Sequence, residues 1–346
     1  MNTDTARTHF AAFLDDLRAA PRTWLVTGAA GFIGSHLVET LLGAEQTVRG
    51  LDNLSTGSMR NVDAVRPAGP ERYTFIEGDI RDPETCATAC DGVDVVLHQA
   101  ALGAVPRSIA NPQATHASNV NGTLNMLVAA RDADVSRFVF ASSSSVYGDH
   151  PGLPKVEDKI GTPLSPYAVS KRTTELYART FFDHYGLETI GLRYFNVFGP
   201  RQDPAGPYAA VLPKWVDTLL SGEQCTVNGD GETSRDFCYV RNVVQANLRA
   251  ALAPTEAAGR VYNVAVGGQT TLNDLYRSIG DSFVEAGVLD AVPNPVYGDF
   301  RPGDVKHSLA DTSAAQRALA YAPTHTVDEG LREALAWYTR TAPHLS

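Results

Sequence analysis

Up to about residue 200, short apolar runs alternate with longer amphipathic ones. Strand-like runs fall at 23–27, 47–51, 74–77, 93–97, 137–141 and 188–193, and helical periodicity fills most of the intervals. This alternation predicts an α/β fold: a doubly wound parallel sheet with helices on both faces and ligands at the carboxyl ends of the strands. From LRYFNVFGPRQDP at 192–204 onward, the pattern is less regular and richer in Pro and Gly. It predicts a helix over 208–221, short strands near 225–228 and 236–240, helices over 241–252 and 271–286, and C-terminal helices from 312 and 327. A larger domain mainly within 1–200 and a smaller α/β domain mainly within 201–346 are therefore expected. The chain weaves between them, because 241–265 can return to the sheet. Near the N-terminus, Phe10, Phe13, Leu14 and Leu17 follow helical spacing around Asp15 and Asp16. Residues 1–21 thus read as a helical extension, amphipathic over 5–20, laid on the domain or on a neighbouring subunit.

Composition narrows the class of partner. The 346 residues are 43% hydrophobic and 20% charged, as in an ordinary globular protein with a substantial core. A net charge of −10 argues against nucleic acid or an anionic membrane, so any anionic ligand must be held by a few local arginines, helix N-termini or backbone N–H groups. Cys86 and Cys90 sit four apart on a predicted helix, and neither they nor Cys225 and Cys238 complete a zinc spacing. Reduced thiols in a cytoplasmic protein without a metal are expected, since no secretory or membrane-spanning pattern is present.

The chemistry concentrates in 138–171. A buried strand opens into Ser142, Ser143, Ser144 and Ser145, and a helix then starts at Ser165 and Pro166, an N-cap and a first-turn proline. Tyr167 and Lys171 fall one turn apart on one face. Such pairs commonly only pack and solvate. A cation beside a phenol of ordinary pKa ~10 nevertheless favours the phenolate, which would make Tyr167 a proton acceptor. Upstream, GAAGFIGSH places Gly28, Gly31 and Gly34 at a strand-to-helix turn, where glycine permits close approach of a pyrophosphate. The spacing departs from G-x-G-x-x-G. Asp52 ends the next strand at the distance suited to adenosine ribose hydroxyls, and its charge favours NAD over NADP.

The serine run followed by Tyr-x-x-x-Lys, together with G-x-x-G-x-x-G, resembles the extended short-chain dehydrogenase/reductase family, and within it the bacterial UDP-N-acetylglucosamine 4-epimerases, from Trp24 to the C-terminus. That resemblance implies a Rossmann sheet binding NAD, a smaller UDP-sugar domain, and Ser143, Tyr167 and Lys171 as catalytic groups. It further implies cofactor contacts from Gly28, Gly31, Phe32, Ile33, Gly34, Asp52, Asn53, Ser55, Thr56 and Gly57. Asp79 and Ile80 would border the adenine, Gln99, Ala100 and Ala101 the central part of the cofactor, and Asn119 would support the active-site backbone and its water. A homodimer through 113–131 and 168–185 is implied as well, with Leu124, Leu127, Leu176 and Phe181 among the apolar residues of those helices.

For substrate, the resemblance places Asn196, Ala210, Val211, Trp215, Thr226, Val227, Asn228, Arg235, Arg301 and Asp304 around UDP, with Gly103, Ala104, Gln202 and Ser308 at the hexose and Ser144 as a secondary sugar contact. Guanidinium groups suit diphosphate oxygens. Ser145 reads as solvated or bonded to backbone. Related 4,6-dehydratases carry Thr-Asp-Glu where Ser143, Ser144 and Ser145 stand, and hydroxyls cannot supply the acid and base that elimination needs. Epimerases restricted to plain hexoses carry Tyr where this chain has Ser308, so UDP-N-acetylglucosamine and UDP-N-acetylgalactosamine are the expected substrates. UDP-glucose and UDP-galactose, UDP-hexuronates, and a non-catalytic NAD-binding protein are the competing readings.

Overall fold

The computed structural model describes residues 2–204, 210–300 and 306–341. Seven parallel strands form one sheet: β1 (Thr23–Thr27), β2 (Thr47–Asp52), β3 (Tyr73–Glu77), β4 (Val95–His98), β5 (Arg137–Ser143), β6 (Glu188–Tyr194) and β7 (Arg260–Val264). Their spatial order is β7-β6-β5-β4-β1-β2-β3. Helices cover both faces, so the strands are apolar on both sides: Trp24 and Val26 enter one core cluster and Leu25 the other. The sequence pattern misses β7, whose apolar run is broken by Asn263. That side chain is buried and bonded to the Tyr147 hydroxyl and the carbonyls of Lys155 and Asp311, so its polarity is compatible with an inner position.

The helices that matter for the site are α1 (Thr3–Arg18), α2 (Phe32–Gly43), α3 (Gly122–Asp132), α4 (Pro166–Tyr185), α5 (Val240–Ala251), α6 (Leu272–Glu285) and α7 (Val327–Thr341). α5 packs on α2, β5 and β6. β7 follows it. A separate apolar cluster, with Leu212, Trp215, Leu275, Phe283 and Leu335, joins the helix Val211–Leu220 to α6 and α7. Around it lie short paired strands, Thr226–Asn228 with Val296–Gly298 and Ser234–Arg235 with Thr270–Thr271. The predicted helix over 208–221 starts in residues outside those described.

α1 lies on its own chain. Asn2 caps it by accepting the Thr5 N–H, Leu17 is buried, and Phe10, Phe13 and Leu14 pack on the sheet cluster that includes α2 and α5. The Arg249 guanidinium of α5 sits 4.4 Å from the Phe13 ring centroid, and Arg7 bonds Glu329 of α7 at 2.6 Å. The extension therefore bridges the sheet half and the C-terminal half. No helix among the described residues is long and apolar enough to cross a membrane.

Candidate active site

The end of β5 and the start of α4 meet as the serine run and the tyrosine–lysine pair require. The Ser165 hydroxyl accepts the Ala168 N–H at 3.1 Å, capping α4, and Pro166 occupies its first turn. Tyr167 and Lys171 consequently face β5. The Ser143 hydroxyl lies close enough to the Tyr167 phenol to act on its titration, and Lys171 Nζ donates to the Ala141 carbonyl at 2.9 Å. Ser143 Oγ also accepts the Ser145 N–H.

Electrostatics depart from the sequence expectation at one point. Burial pushes the Tyr167 phenol up, opposed by the Ser143 hydroxyl, and Lys171 does not pull it down. The ammonium is 6.0 Å from the ring centroid and spends a donor on a carbonyl. Lys171 itself is lowered to about 8 by burial, with the Glu175 carboxylate acting against the shift. It therefore carries its proton at neutral pH.

The glycine turn lies across the same cavity. Gly28 has φ +69°, and an added Cβ would stand 2.9 Å from the Ala100 nitrogen, so β1 and β4 approach there as only glycine permits. At Gly34 an added Cβ would fall 2.0 Å from the Gly28 carbonyl oxygen. Gly31 precedes α2 without a side-chain cap, which leaves the first-turn N–H groups of α2 for an anion. Asp52 accepts the N–H groups of Ala30 at 3.0 Å and Leu54 at 2.8 Å, keeping lone pairs for ribose hydroxyls while burial raises its pKa. An uncapped helix end, a tight glycine turn and an ionisable carboxylate at the next strand end fit an NAD molecule.

This cavity is lined by Gly28, Gly31, Phe32, Ile33, Gly34, Asp52, Asn53, Ser55, Thr56, Ile80, Gln99, Ala100, Ala101, Gly103, Tyr167 and Lys171. Three expected cofactor residues stand behind it. Gly57 packs against Ala30, and Asp79, held near 2 by Arg81, accepts from Asn53. Asn119 is spent on the Leu102 backbone, 2.7 Å from its N–H and 3.1 Å from its carbonyl, and on Ser170. Its place in a π-helical segment, Ala117–Asn121, turns it inward to shape the Leu102–Gly103 backbone. Sequence reasoning passed over Ser142 and Tyr194, which also line the cavity. Their signal was positional: both lie at the carboxyl ends of β5 and β6. The Tyr194 hydroxyl donates to Gln99 at 2.9 Å and accepts from Asn247 at 2.8 Å.

The expected substrate residues divide. Ala104 has φ +75° beside Gly103, and Ser144 opens a short turn after β5. Ser145 is not solvated; its hydroxyl is buried without a hydrogen-bond partner. Exposed Asn196 has φ +23° and pairs through its carbonyl with Cys238, while Gln202 donates to the Val197 carbonyl. Thr226, Val227 and Asn228 share one short strand, with Val227 buried. Ala210 precedes Val211 at a helix start. Trp215 is a core residue, 3% exposed, with its indole N–H donated to Thr226. Its burial in the cluster with Tyr276 leaves that N–H for no ligand. Arg235 donates to the Ser234 and Lys306 carbonyls, and the Ser308 N–H donates to Ser234, so Arg235 and Ser308 are brought together. Arg301 and Asp304 lie outside the described residues.

Comparison with known proteins agrees with this geometry. The NAD dependent epimerase/dehydratase family model matches residues 24–265. Among solved structures, a UDP-N-acetylglucosamine 4-epimerase from Methanobrevibacter ruminantium, in complex with UDP-N-acetylmuramic acid, is 39% identical with a TM-score of 0.85, covering 92% of this chain and 99% of that one. The UDP-glucose 4-epimerase of Thermus thermophilus in complex with NAD is 34% identical with a TM-score of 0.80, over 92% and 99% of the two chains. The UDP-glucose 4-epimerase of Mycolicibacterium smegmatis is 35% identical over 91% of this chain and 97% of its own.

The Gly34 contact yields a direct test. A Gly34→Ala methyl cannot fit against the Gly28 carbonyl without opening the turn, and a misfit of ~1.4 kcal/mol already costs tenfold in affinity. The Kd for NAD, measured on apoprotein refilled by titration, should rise about tenfold or more relative to wild type. A wild-type NAD affinity in this variant would remove the turn from the cofactor site.

Proposed function

This chain belongs to the NAD dependent epimerase/dehydratase family, and within it to the nucleotide-sugar 4-epimerases; from that premise we propose that it interconverts UDP-N-acetylglucosamine and UDP-N-acetylgalactosamine through a 4-keto sugar, with NAD retained and recycled. The observation that carries the chemistry is that Tyr167 and Lys171 line the cavity of the glycine turn, with Ser143 beside the Tyr167 phenol. The sheet half holds the cofactor. When bound there, NAD supplies the acceptor and donor of hydride and the positive charge of its oxidised ring.

The protein's own groups divide the remaining work. Tyr167 takes the proton of the sugar 4-hydroxyl and returns it to the same oxygen after the sugar turns over. Ser143 holds the phenol and bonds the C4 oxygen as it becomes a carbonyl, with Ser144 beside it. Lys171, protonated at neutral pH, adds positive charge to the site and fixes the Ala141 backbone. Ser144 and Ser145 offer no carboxyl acid and base, which disfavours elimination of water from the sugar. The C-terminal half receives UDP, with Arg235, Thr226 and Asn228 on its short strands as candidate contacts.

Preference for the acetylated sugars rests on Ser308, held beside Arg235 through Ser234. A serine is smaller than a phenol by a whole ring and leaves room for an acetamido group at C2. If the wall cannot retreat, overpacking costs ~1–3 kcal/mol, about ten- to a hundredfold in selectivity. The similarity to a UDP-N-acetylglucosamine 4-epimerase supports this reading, while similarity to UDP-glucose 4-epimerases keeps the plain hexoses as its competitor. The homodimer, also part of this reading, uses the outer face of α4. Val169, Leu176, Tyr177 and Tyr185 are exposed on it, whereas Leu127 and Phe181 belong to the core and Leu124 is partly buried against it.

Three measurements test these statements. Comparison of kcat/KM for acetylated and plain UDP-sugars in wild type and Ser308→Tyr should show selective loss of the acetylated pair. A wild type that prefers UDP-galactose, or equal losses on both pairs, contradicts the gate. Tyr167→Phe should retain NAD and UDP-sugar but lose about 100- to 10,000-fold in turnover, the usual worth of a positioned acid–base group; full activity excludes that role. Sedimentation at micromolar concentration should give twice the chain mass, and a monomer argues against α4 as an interface.

A further inference from the structure

On α4, three side chains at successive turns grip the end of β5. Tyr167 faces Ser143, Lys171 donates to the Ala141 carbonyl, and Glu175 Oε1 accepts the Ser142 hydroxyl at 2.6 Å. The third contact is the most deeply placed. The Glu175 side chain is 2% exposed and also accepts Arg193 Nε at 2.8 Å, Arg193 Nη2 at 2.9 Å and Arg172 Nη1 at 2.9 Å. Arg193 lies on β6 directly opposite Ser142 in the parallel register, and the next opposed pair is Ser143 with Tyr194. One carboxylate therefore joins the helix of Tyr167 and Lys171 to two neighbouring strands, at the level where β5 lines the cavity through Ser142 and one residue before β6 reaches it at Tyr194.

We propose that Glu175 is a positioning residue for the reaction, acting through Ser142 and Arg193 to hold Ser143 and the Ala141 carbonyl in register with Tyr167 and Lys171. The proposal rests on the assigned 4-epimerase activity and adds residues that do not touch the sugar. Side-chain length matters to it. Glutamate spans from α4 to both strands, and loss of one contact lets the strand end slide relative to the helix while the remaining ion pair keeps the fold. Glu175 also places a negative charge one turn from Lys171, so its removal allows the ammonium to lose its proton at lower pH.

The variants Ser142→Ala and Glu175→Gln test this in the full-length, NAD-loaded enzyme. Ser142→Ala leaves the Glu175–Arg193 pair intact and should unfold at nearly the wild-type temperature. Its kcat should fall ~10- to 100-fold with KM little changed, the cost of about 1 Å of misplacement. In Glu175→Gln, the alkaline limb of the kcat profile should move to lower pH. A role in stability alone predicts wild-type kcat and pH profile per folded molecule, and that result in Ser142→Ala overturns the proposal even if Glu175→Gln fails to fold. A wild type inactive on every UDP-sugar removes the assigned reaction instead. Crystal structures then decide the positioning role: displacement of Ser143 or Lys171 in Ser142→Ala supports it, and unmoved groups overturn it.

Discussion

Among the described residues, the most deeply buried ion pair joins Glu175 and Arg193, with side chains 2% and 1% exposed. Moving two charges out of water carries a penalty of several kcal/mol per ion, and the pair persists only where geometry and further hydrogen bonds offset it. Here the compensation is nearly complete. The carboxylate receives Ser142, Arg172 and both arms of Arg193, while Arg193 also reaches the Glu157 carbonyl and lies 4.8 Å from the Tyr147 ring centroid. Such a pair adds little net stability over an apolar core. Its physical consequence is uniqueness: α4, β5 and β6 have one arrangement in which neither charge is left unpaired, and Ser143, Tyr167 and Lys171 ride on those elements.

The parallel sheet supplies the second constraint. All strands end at the same edge, and the chain order reverses between β4 and β1, so helices leave the edge in opposite directions and a crevice opens there. The glycine turn enters the crevice from β1 and the serine run from β5. Ligand chemistry is confined to that edge because elsewhere the strands are buried on both faces. The return of α5 and β7 to the sheet closes it beside β6, and Asn247 of α5 completes the Gln99–Tyr194 network at the crevice wall.

Much of this was legible from periodicity because the signals were local. Ser165, Pro166, Tyr167 and Lys171 specify a helix start and a shared face within seven residues, and the glycine turn is equally compact. β7 was illegible for the opposite reason. Asn263 looks like a loop residue until Tyr147, Lys155 and Asp311, all distant in sequence, supply its partners. Asn119, expected to support the active-site backbone, bonds the Leu102 N–H and carbonyl from a π-helical turn. Trp215 has a role that resemblance does not specify: its indole N–H is satisfied inside the core by the Thr226 carbonyl.

The tyrosine–lysine pair shows why motif and mechanism are separate inferences. Spacing brings the two groups to one face, but proximity on a helix does not determine which partner each selects. Lys171 turns to the Ala141 carbonyl and Tyr167 to Ser143. In the protein alone, burial dominates both titrations, raising the phenol and lowering the ammonium, because each charged form loses water. A neutral phenol is the resting state of such a site. To serve as the proposed proton acceptor it would need positive charge close to the hydroxyl, from the Lys171 ammonium and from NAD, which would supply the charge of its oxidised ring if held in the adjoining cavity.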